Sequence, residues 1–123
     1  MDSNQLIDTI IKKTKNNQLK WFLAKEMPIC IVLSPLKITK IFRTNINDID
    51  FYLIEYSYYA YSVDYDERYI AFSIKCSCVQ DDIETLSIDR EDIEPASKMN
   101  ELMDLIIDKI YNTENQLDEF IDN

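Results

Sequence analysis

The chain has 123 residues, of which 46% are hydrophobic and 29% charged, and 13 basic against 23 acidic side chains give a net charge of −10. This length corresponds to one domain, residues 1–123, which can bury a core without a disulfide or a metal. The sequence contains no glycine and no histidine, which excludes glycine-rich phosphate loops, EF-hand loops, histidine zinc sites and Ser-His-Asp triads.

Residue usage predicts the compartment and the source. No apolar run reaches the ~18 residues of a membrane span, and the first residues lack the basic-then-apolar order of a signal peptide. Three cysteines, an odd number, do not suit a secreted disulfide framework. Residues with AT-rich codons, such as Ile, Asn and Lys, greatly outnumber Ala, Pro and Arg. We therefore expect a cytoplasmic protein of a low-GC bacterium, or of a phage or mobile element acting in the host cytoplasm, with no membrane contact.

The first predicted element is a helix that begins after Asp2 or Ser3, either of which can cap it. Its apolar residues recur at a spacing of three and four, and lysines occupy its last turn, where they complement the helix dipole. Asn16 and Asn17 end the helix, because asparagine tolerates the left-handed conformation that glycine would otherwise supply. In this glycine-free chain we expect asparagine to take that role throughout. The predicted buried face comprises Leu6, Ile7, Ile10, Ile11 and Thr14.

The middle of the chain has the residue pattern of strands, rich in β-branched and aromatic residues and bounded by polar turns. Pro28 and Pro35 bracket one short run and restrict it to a brief or edge strand. The predicted strands span residues 19–23, 29–33, 37–44, 50–62, 68–79 and 83–88. The predicted turns span residues 45–48, 64–67 and 80–82. Four or five of these strands are expected to form an antiparallel meander.

The C-terminal part has the periodicity of helices. Pro95 suits the first turn of one helix, whose apolar stripe continues to Ile110. Asn112 and Thr113 interrupt it, and Thr113 with Gln116 resembles a capping box that starts a final helix. The apolar residues expected to face inward from this last helix are Leu117, Phe120 and Ile121. The predicted fold class is α+β, with an N-terminal helix, an antiparallel β-meander of 4–5 strands, and one or two C-terminal helices packed on one sheet face.

The charge is concentrated in the second half of the chain. Residues 1–61 have a net charge of +2 and residues 62–123 one of −12. Repulsion from phosphates therefore opposes direct nucleic-acid binding. One interpretation is a solvated surface that keeps the protein soluble, and the other is phosphate mimicry toward a protein with a basic surface. The predicted partner-binding acids are Asp81, Asp82, Glu84, Asp89, Glu91, Asp92 and Glu94.

Tyrosines are concentrated in and beside the predicted strand 50–62. Tyrosine joins a large contact area to a polar tip and is enriched at interfaces, although aromatic residues also favour strands and pack under helices. Stacking on nucleotide bases is a third interpretation. By alternation, one face carries Tyr52, Ile54, Tyr56 and Tyr58, and the other Phe51, Leu53, Tyr59 and Tyr61. The tyrosines predicted to contact a partner are Tyr58, Tyr59 and Tyr61.

The remaining carboxylates form no recognisable catalytic set. A nuclease-type site needs an acidic pair and a lysine at strand spacing, and the nearest candidates, Asp64, Asp66 and Lys75, do not have it. The same two aspartates begin like a calcium loop, but no glycine stands where the loop must turn. We therefore predict no catalytic residue and no cofactor.

The cysteines form no recognisable metal set either. Cys76 and Cys78 project to the same face of a strand, and only Cys30 remains to join them. Because a structural zinc site needs four ligands and the chain lacks histidine, we predict no bound metal. The expected role of the cysteines is that of small buried apolar residues, and core packing is expected for Trp21.

The stretch 7–21, in which a helix ending in Lys13-Thr14-Lys15-Asn16-Asn17 leads to Trp21, resembles a family of small proteins from low-GC bacteria and their phages and mobile elements. In that family a Lys-Thr-x-x-Gly/Asn turn leads into a strand with a tryptophan, and a β-meander and a C-terminal helix follow. Segments 101–106 and 117–121 are similar to its C-terminal part, so the resemblance covers most of the chain. It implies the same order of elements and a mobile-element origin, and it carries over no functional residues.

Together these features predict a non-enzymatic, acidic protein-interaction module, encoded by a phage or mobile element, that inhibits a host or defence protein by occupying its nucleic-acid-binding surface. The alternative is a small-molecule or nucleotide-binding module that stacks a base on the sheet tyrosines. A metal-dependent hydrolase or nuclease, which needs at least two converging carboxylates, is a third hypothesis, and an oligomeric or structural role is a fourth. The oligomeric state stays open.

Overall fold

Two helices from opposite ends of the chain cover one face of a five-stranded antiparallel sheet. A computed structural model describes residues 1–31, 37–61 and 68–122, without the side chains of residues 59–61, 68–70, 113 and 115. The helices are α1 (Ser3–Lys15), α2 (Ser97–Ile110) and α3 (Thr113–Asp122), and the strands are β1 (Phe22–Leu23), β2 (Lys37–Ile46), β3 (Ile49–Tyr61), β4 (Arg68–Gln80) and β5 (Ile83–Asp89). The α+β class expected from the sequence is thus confirmed.

The sheet is a meander, because each strand pairs with its neighbour in sequence, in the order β1-β2-β3-β4-β5. β3 lies at the centre, where Leu53 stands opposite Phe42 of β2 and Cys76 of β4. β5 pairs only with the part of β4 from Lys75 to Gln80. The short β5 therefore forms one edge of the sheet, and the two-residue β1 forms the other.

Two hairpins turn through residues with positive φ, a conformation that two-residue hairpin loops require. Asn47 and Asp48 join β2 to β3 with φ of 52° and 66°, and Asp81 and Asp82 join β4 to β5 with φ of 52° and 61°. Asn17, just after α1, has φ of 59°. Asparagine therefore takes the glycine role at two of these positions, but aspartate takes it at the other three, because its short polar side chain also tolerates this region. The expectation that asparagine alone does so is wrong.

The main core lies between the sheet and the two helices that cover it. From α1 it takes the predicted face, with Ile7, Ile10 and Ile11 buried against the sheet. Trp21 belongs to the same cluster, as predicted, with its ring edge-on to that of Phe51 at a centroid distance of 5.9 Å. The α2 residues in this core are Met99, Leu102, Met103 and Ile106.

α1 and α2 run parallel across this core. Near their beginnings, the Lys98 Nζ of α2 lies 2.9 Å from the Asp8 Oδ1 of α1. Near their ends, the Lys109 Nζ donates to the Asn17 Oδ1 at 2.9 Å. The C-terminal ends of both helices therefore lie together, next to the segment that leads into β1.

Two predicted strands are wrong in part. Of the run 29–33, residues Ile29–Ile31 form a 3-10 turn, in which the Ile31 N–H donates to the Pro28 carbonyl at 3.1 Å, and the rest lies outside the described residues. The turn carries Ile31 down onto Tyr52, Ile54 and Val79 in a second apolar cluster, on the sheet face away from the helices. A strand lying beside the sheet would not reach that face.

The predicted strand 19–23 pairs with β2 only at Phe22 and Leu23. The Leu19 N–H instead donates to the Lys13 carbonyl at the end of α1, at 3.3 Å. Because Trp21 is drawn into the core beneath α1, this segment follows the helix before it reaches the sheet. The predicted turn 64–67 lies outside the described residues.

The C-terminal helices lie where the sequence predicts them, but α3 does not pack as predicted. Pro95 lies two residues before α2, where its carbonyl accepts the Lys98 N–H at 3.1 Å. α3 begins at the predicted Thr113, but its apolar side chains do not face inward: Leu117 is 57% exposed, Phe120 80% and Ile121 76%. α1 and α2 already cover the helix face of the sheet, so α3 extends beyond it.

Candidate functional site

The seven acids predicted to bind a partner follow the β5 edge of the sheet, and we call them the acidic edge. Their members are Asp81 and Asp82 in the β4–β5 turn, Glu84 and Asp89 in β5, and Glu91, Asp92 and Glu94 in the segment between β5 and α2. Because β5 has seven residues, the acidic edge extends over about 20 Å. The structure therefore brings together along one edge the acids that the sequence grouped by proximity.

Most of this charge is uncompensated. Six of the seven carboxylates are exposed, and none of the seven forms an ion pair with a residue that the structure describes. The seventh, Glu84, is half-buried, and its Oε2 accepts a 2.9 Å hydrogen bond from the Oγ of the fully buried Ser77. This bond to β4 holds one carboxylate in place on the sheet.

Two hydrogen bonds fix the backbone at the α2 end of the acidic edge. The Asp89 N–H donates to the Asp92 Oδ2 at 2.9 Å, and the Glu94 N–H donates to the Asn4 Oδ1 of α1 at 2.8 Å. Between them, Ile93 is buried in the main core. These acids therefore stand on a fixed segment, which lowers the entropy that binding a partner would cost.

The predicted tyrosine surface is separate from the acidic edge. Tyr58 lies on β3, with β4 between it and β5, and it is 39% exposed. Its ring is 6.3 Å from that of Tyr56 on the same face, at an interplanar angle of 33°. Tyr59 and Tyr61 pair with β4 through their backbones, while their side chains lie outside the described part of the chain. The structure therefore does not join Tyr58 to the acids in one surface.

The second apolar cluster, on the face of β3 that also carries Tyr58, accounts for Tyr52 and Tyr56 without a ligand. Tyr52 is buried with Ile54 on the face away from the helices, as alternation predicted. Burial raises the pKa of the Tyr52 hydroxyl, and the Asp50 carboxylate adds to the rise, while the nearby Arg43 opposes it. Tyr52 is therefore a neutral core residue at ordinary pH.

Of the two cysteines of β4, Cys76 is a buried apolar residue, as expected, and Cys78 is partly buried at the edge of the same core. Cys76 is fully buried in the main core, with its sulfur 3.9 Å from that of Met99 on α2. Burial raises the pKa of the Cys76 thiol well above its ordinary value, and the neighbouring Cys78 adds to this. Burial also raises the pKa of Cys78, with a contribution from the Glu84 carboxylate. Both thiols are therefore protonated and poor nucleophiles at neutral pH.

Lys75, the lysine nearest in sequence to Asp64 and Asp66, is buried on β4 between Ile54 and Asp89 of the adjacent strands. The two aspartates lie outside the described residues. Within the described ranges, no group of three Cys, Asp or Glu side chains is placed to hold a metal ion. The predictions that the chain has no catalytic residue and no cofactor stay predictions.

Sequence reasoning missed a cavity between the C-terminal ends of α1 and α2 and the segment leading into β1. Its volume is about 450 Å³. Trp21 lies at this cavity, and the Lys20 and Lys109 side chains also line it. The lysines at the end of α1 followed by Lys20-Trp21 are the signal that the sequence offers, but only the packing of α2 beside α1 adds Lys109 and Ile110 as a further wall of the cavity.

Comparisons of the chain with protein-family models, curated proteins and solved structures found no match. Among the described residues, no helix combines the length and the apolar composition that crossing a membrane requires.

Proposed function

We propose that the chain is a non-enzymatic protein-interaction module that binds a protein with a basic surface through its acidic edge. The observation that carries this proposal is the row of exposed carboxylates, unpaired among the described residues, along the β5 edge. Such a row attracts a basic surface over several ångströms and accelerates its association. Its repulsion of phosphates makes a direct nucleic-acid complex unfavourable.

The partner class follows from the same charge. A surface that binds the phosphates of a nucleic acid carries a row of positive charges, which also matches a row of carboxylates. By occupying such a surface, the module acts as an inhibitor of nucleic-acid binding. The residue usage and the resemblance to small proteins of low-GC bacteria, phages and mobile elements favour a host or defence protein as this partner, in the bacterial cytoplasm.

The test begins with capture of the partner from a bacterial lysate on the immobilised chain, followed by elution with increasing salt. The dissociation constant of the purified pair is then measured at several salt concentrations. We expect binding to weaken steeply as salt rises, because exposed charges are screened over a Debye length of about 8–10 Å. A dissociation constant that stays the same from low to high salt would contradict the proposal.

Matched variants locate the binding surface. Glu91→Gln/Glu94→Gln removes two charges from the acidic edge, and Asp104→Asn/Asp108→Asn removes two exposed charges from α2. We expect the first pair to weaken binding about tenfold or more and to reduce its salt dependence. The second pair should leave the dissociation constant within about twofold, because it changes the net charge equally but lies off the edge. Equal effects of the two pairs would mean that only total charge matters.

A second proposal is a module that stacks a nucleotide base on the sheet tyrosines. The neighbouring, tilted rings of Tyr56 and Tyr58, with Tyr58 partly exposed, favour it. It predicts that nucleotides raise the melting temperature of the chain and that Tyr58→Ala abolishes this rise, whereas Tyr111→Ala, at an exposed tyrosine of the C-terminal region, leaves it unchanged. No shift with any common nucleotide would rule it out.

A further inference from the structure

α3 is an amphipathic helix whose apolar side chains are mostly exposed and belong to neither apolar cluster of the described chain. All of its described side chains are exposed, and Leu117, Phe120 and Ile121 lie on one side of it, at a spacing of three and four. The helix has ten residues, and isolated helices shorter than ~12–15 residues are only marginally stable in water. A ten-residue helix with an exposed apolar side is therefore expected to gain stability when that side is covered by another surface.

The cavity at the ends of α1 and α2 has the apolar lining that such a helix needs. Leu19, Trp21, Phe22 and Ile110 contribute apolar atoms to it. The apolar surface continues around it through the exposed side chains of Phe22 and Leu23 in β1 and of Tyr111 after α2. Large exposed apolar patches of this kind mark interaction surfaces.

The charges of the two surfaces are opposite. α3 carries four acidic residues and no basic one. Lys20 and Lys109 line the cavity, and the adjoining last turn of α1 adds Lys12 and Lys13, while Lys15 is paired with Glu101 of α2 at 3.3 Å. The helix and the cavity are therefore complementary both in apolar character and in charge, although they belong to a chain that is acidic overall.

α3 does not fill the cavity of its own chain, although it begins close to it. Only Tyr111 and Asn112 separate it from Ile110 at the cavity wall. With a rise of about 1.5 Å per residue, Phe120 lies roughly 10 Å along the helix from its first residue, Thr113. No described residue of α3 lines the cavity, so both the cavity and the apolar side of the helix are accessible to another molecule.

We propose that two copies of the chain form a two-fold symmetric dimer in which α3 of each copy docks Leu117, Phe120 and Ile121 into the cavity beside Trp21 of the other. The contact is reciprocal, as two-fold symmetry requires, because each copy supplies one helix and one cavity. It leaves the acidic edge on β5 outside the interface, so dimer formation and partner binding are independent.

The first test is the mass of the full-length chain in solution, measured by sedimentation equilibrium from nanomolar to high micromolar concentrations. We expect a monomer–dimer equilibrium. The variant Leu117→Ala/Phe120→Ala/Ile121→Ala should raise the dimer dissociation constant at least about a hundredfold, because these side chains are the apolar anchors of both docking contacts. The control Ile29→Ala/Phe72→Ala removes exposed apolar side chains elsewhere and should leave the constant unchanged.

The only tryptophan of the chain lines the cavity with the small part of its side chain that the main core leaves exposed, so occupation of the cavity covers that part. Its emission should shift to shorter wavelength as the concentration rises through the dimer dissociation constant, and should not shift in the triple variant. Circular dichroism of the triple variant at low concentration should match that of the wild-type monomer, which shows that the core is folded.

Charge reversal tests the pairing of helix and cavity. Lys20→Glu and Asp118→Lys should each weaken the homodimer about tenfold or more, because each places like charges opposite each other in both contacts. An equimolar mixture of the two variants should form a heterodimer, since one of its contacts is the wild-type one and the other restores opposite charges. A wild-type chain that stays monomeric at every concentration, or a dimer unaffected by the triple variant, would overturn the proposal.

Discussion

Trp21 donates its Nε1–H to the Thr14 Oγ1 across 3.0 Å, and that hydroxyl in turn donates to the Ile10 carbonyl of α1 at 2.7 Å. Both side chains are buried, so the bond ties the segment before β1 to the helix above it. We expect Trp21→Phe to lower the free energy of unfolding by about 1–3 kcal/mol, because it leaves a buried oxygen without its donor and removes part of the ring. Urea denaturation followed by circular dichroism measures this change.

The control for this bond is Thr14→Val, alone and combined with Trp21→Phe. If the hydrogen bond couples the two residues, the double variant should lose less stability than the sum of the single variants, by about 0.5–1.5 kcal/mol. Strictly additive losses would show that the two side chains contribute separately.

In the β4–β5 turn, two substitutions of Asp82 are expected to change the free energy of unfolding in opposite directions. Asp82 has φ of 61°, which costs an ordinary residue about 1–2 kcal/mol and glycine nothing. Asp82→Gly should therefore raise the free energy of unfolding by about 0.5 kcal/mol, and Asp82→Ala should lower it by about 1 kcal/mol. Asp82→Asn, which keeps the turn and removes the charge, separates the backbone effect from electrostatics. If all three substitutions changed the free energy of unfolding by the same amount, the effect would come from the lost charge, and the explanation from backbone conformation would be refuted.

The buried thiols make the fold sensitive to alkali. Burial raises the pKa of Cys76 in the folded chain, so above about pH 8.5 the unfolded chain loses a proton that the folded chain keeps. The stability contributed by the raised pKa is fully present below about pH 8.5 and is lost as the pH rises toward the folded value. The urea midpoint should therefore fall on the alkaline side, with Cys78 and Tyr52 adding to the decline in the same direction.

Cys76→Ala isolates this contribution. The variant is less stable at neutral pH because it leaves a space beside Met99, but its stability should decline less steeply with rising pH. An alkaline slope equal to that of the wild type would assign the decline to other groups. In the native chain, Cys76 should also resist alkylation longer than the half-buried Cys30.

Substitution of two leucines compares the contribution of the core to stability with that of α3. Leu53 is fully buried at the centre of the sheet and Leu117 is exposed on α3. Leu53→Ala should cost about 2–5 kcal/mol of unfolding free energy, whereas Leu117→Ala, at a concentration where the chain is monomeric, should change it by less than about 0.5 kcal/mol. Thermal or urea unfolding at low protein concentration measures both. A large loss at Leu117 under these conditions would show that α3 packs on its own chain.

The main elements of the fold could be predicted from the sequence because local chemistry determines them. The spacing of Ile7, Ile10 and Ile11 defines the buried face of α1, and the alternation along residues 50–58 assigns Leu53 and Ile54 to opposite faces of the sheet, where the structure places them. Turn residues with positive φ then fix the two short hairpins. These features depend on neighbours within a few residues, which the sequence displays directly.

What could not be predicted depends on residues far apart in the chain. The periodicity of Leu117 and Phe120 shows that an apolar face exists, but not whether the fold leaves room for it under the sheet. Likewise, the cavity at Trp21 needs Lys109 from the other end of the chain. For the candidate site, proximity in sequence was a sound guide to the acidic edge, because a hairpin strand keeps neighbours together. It was no guide to Tyr58, which the meander places two strands away from β5.

The meander also has a consequence for how the chain folds. Every strand pairing joins sequence neighbours, so the sheet can form hairpin by hairpin with little loop-closure entropy, which favours rapid folding. The contacts between α1 and α2, in contrast, join residues about ninety positions apart, such as Asp8 with Lys98 and Lys15 with Glu101. During synthesis the apolar face of α1 must therefore wait for α2 to leave the ribosome, and closing these two helices over the sheet is expected to be the last and slowest step.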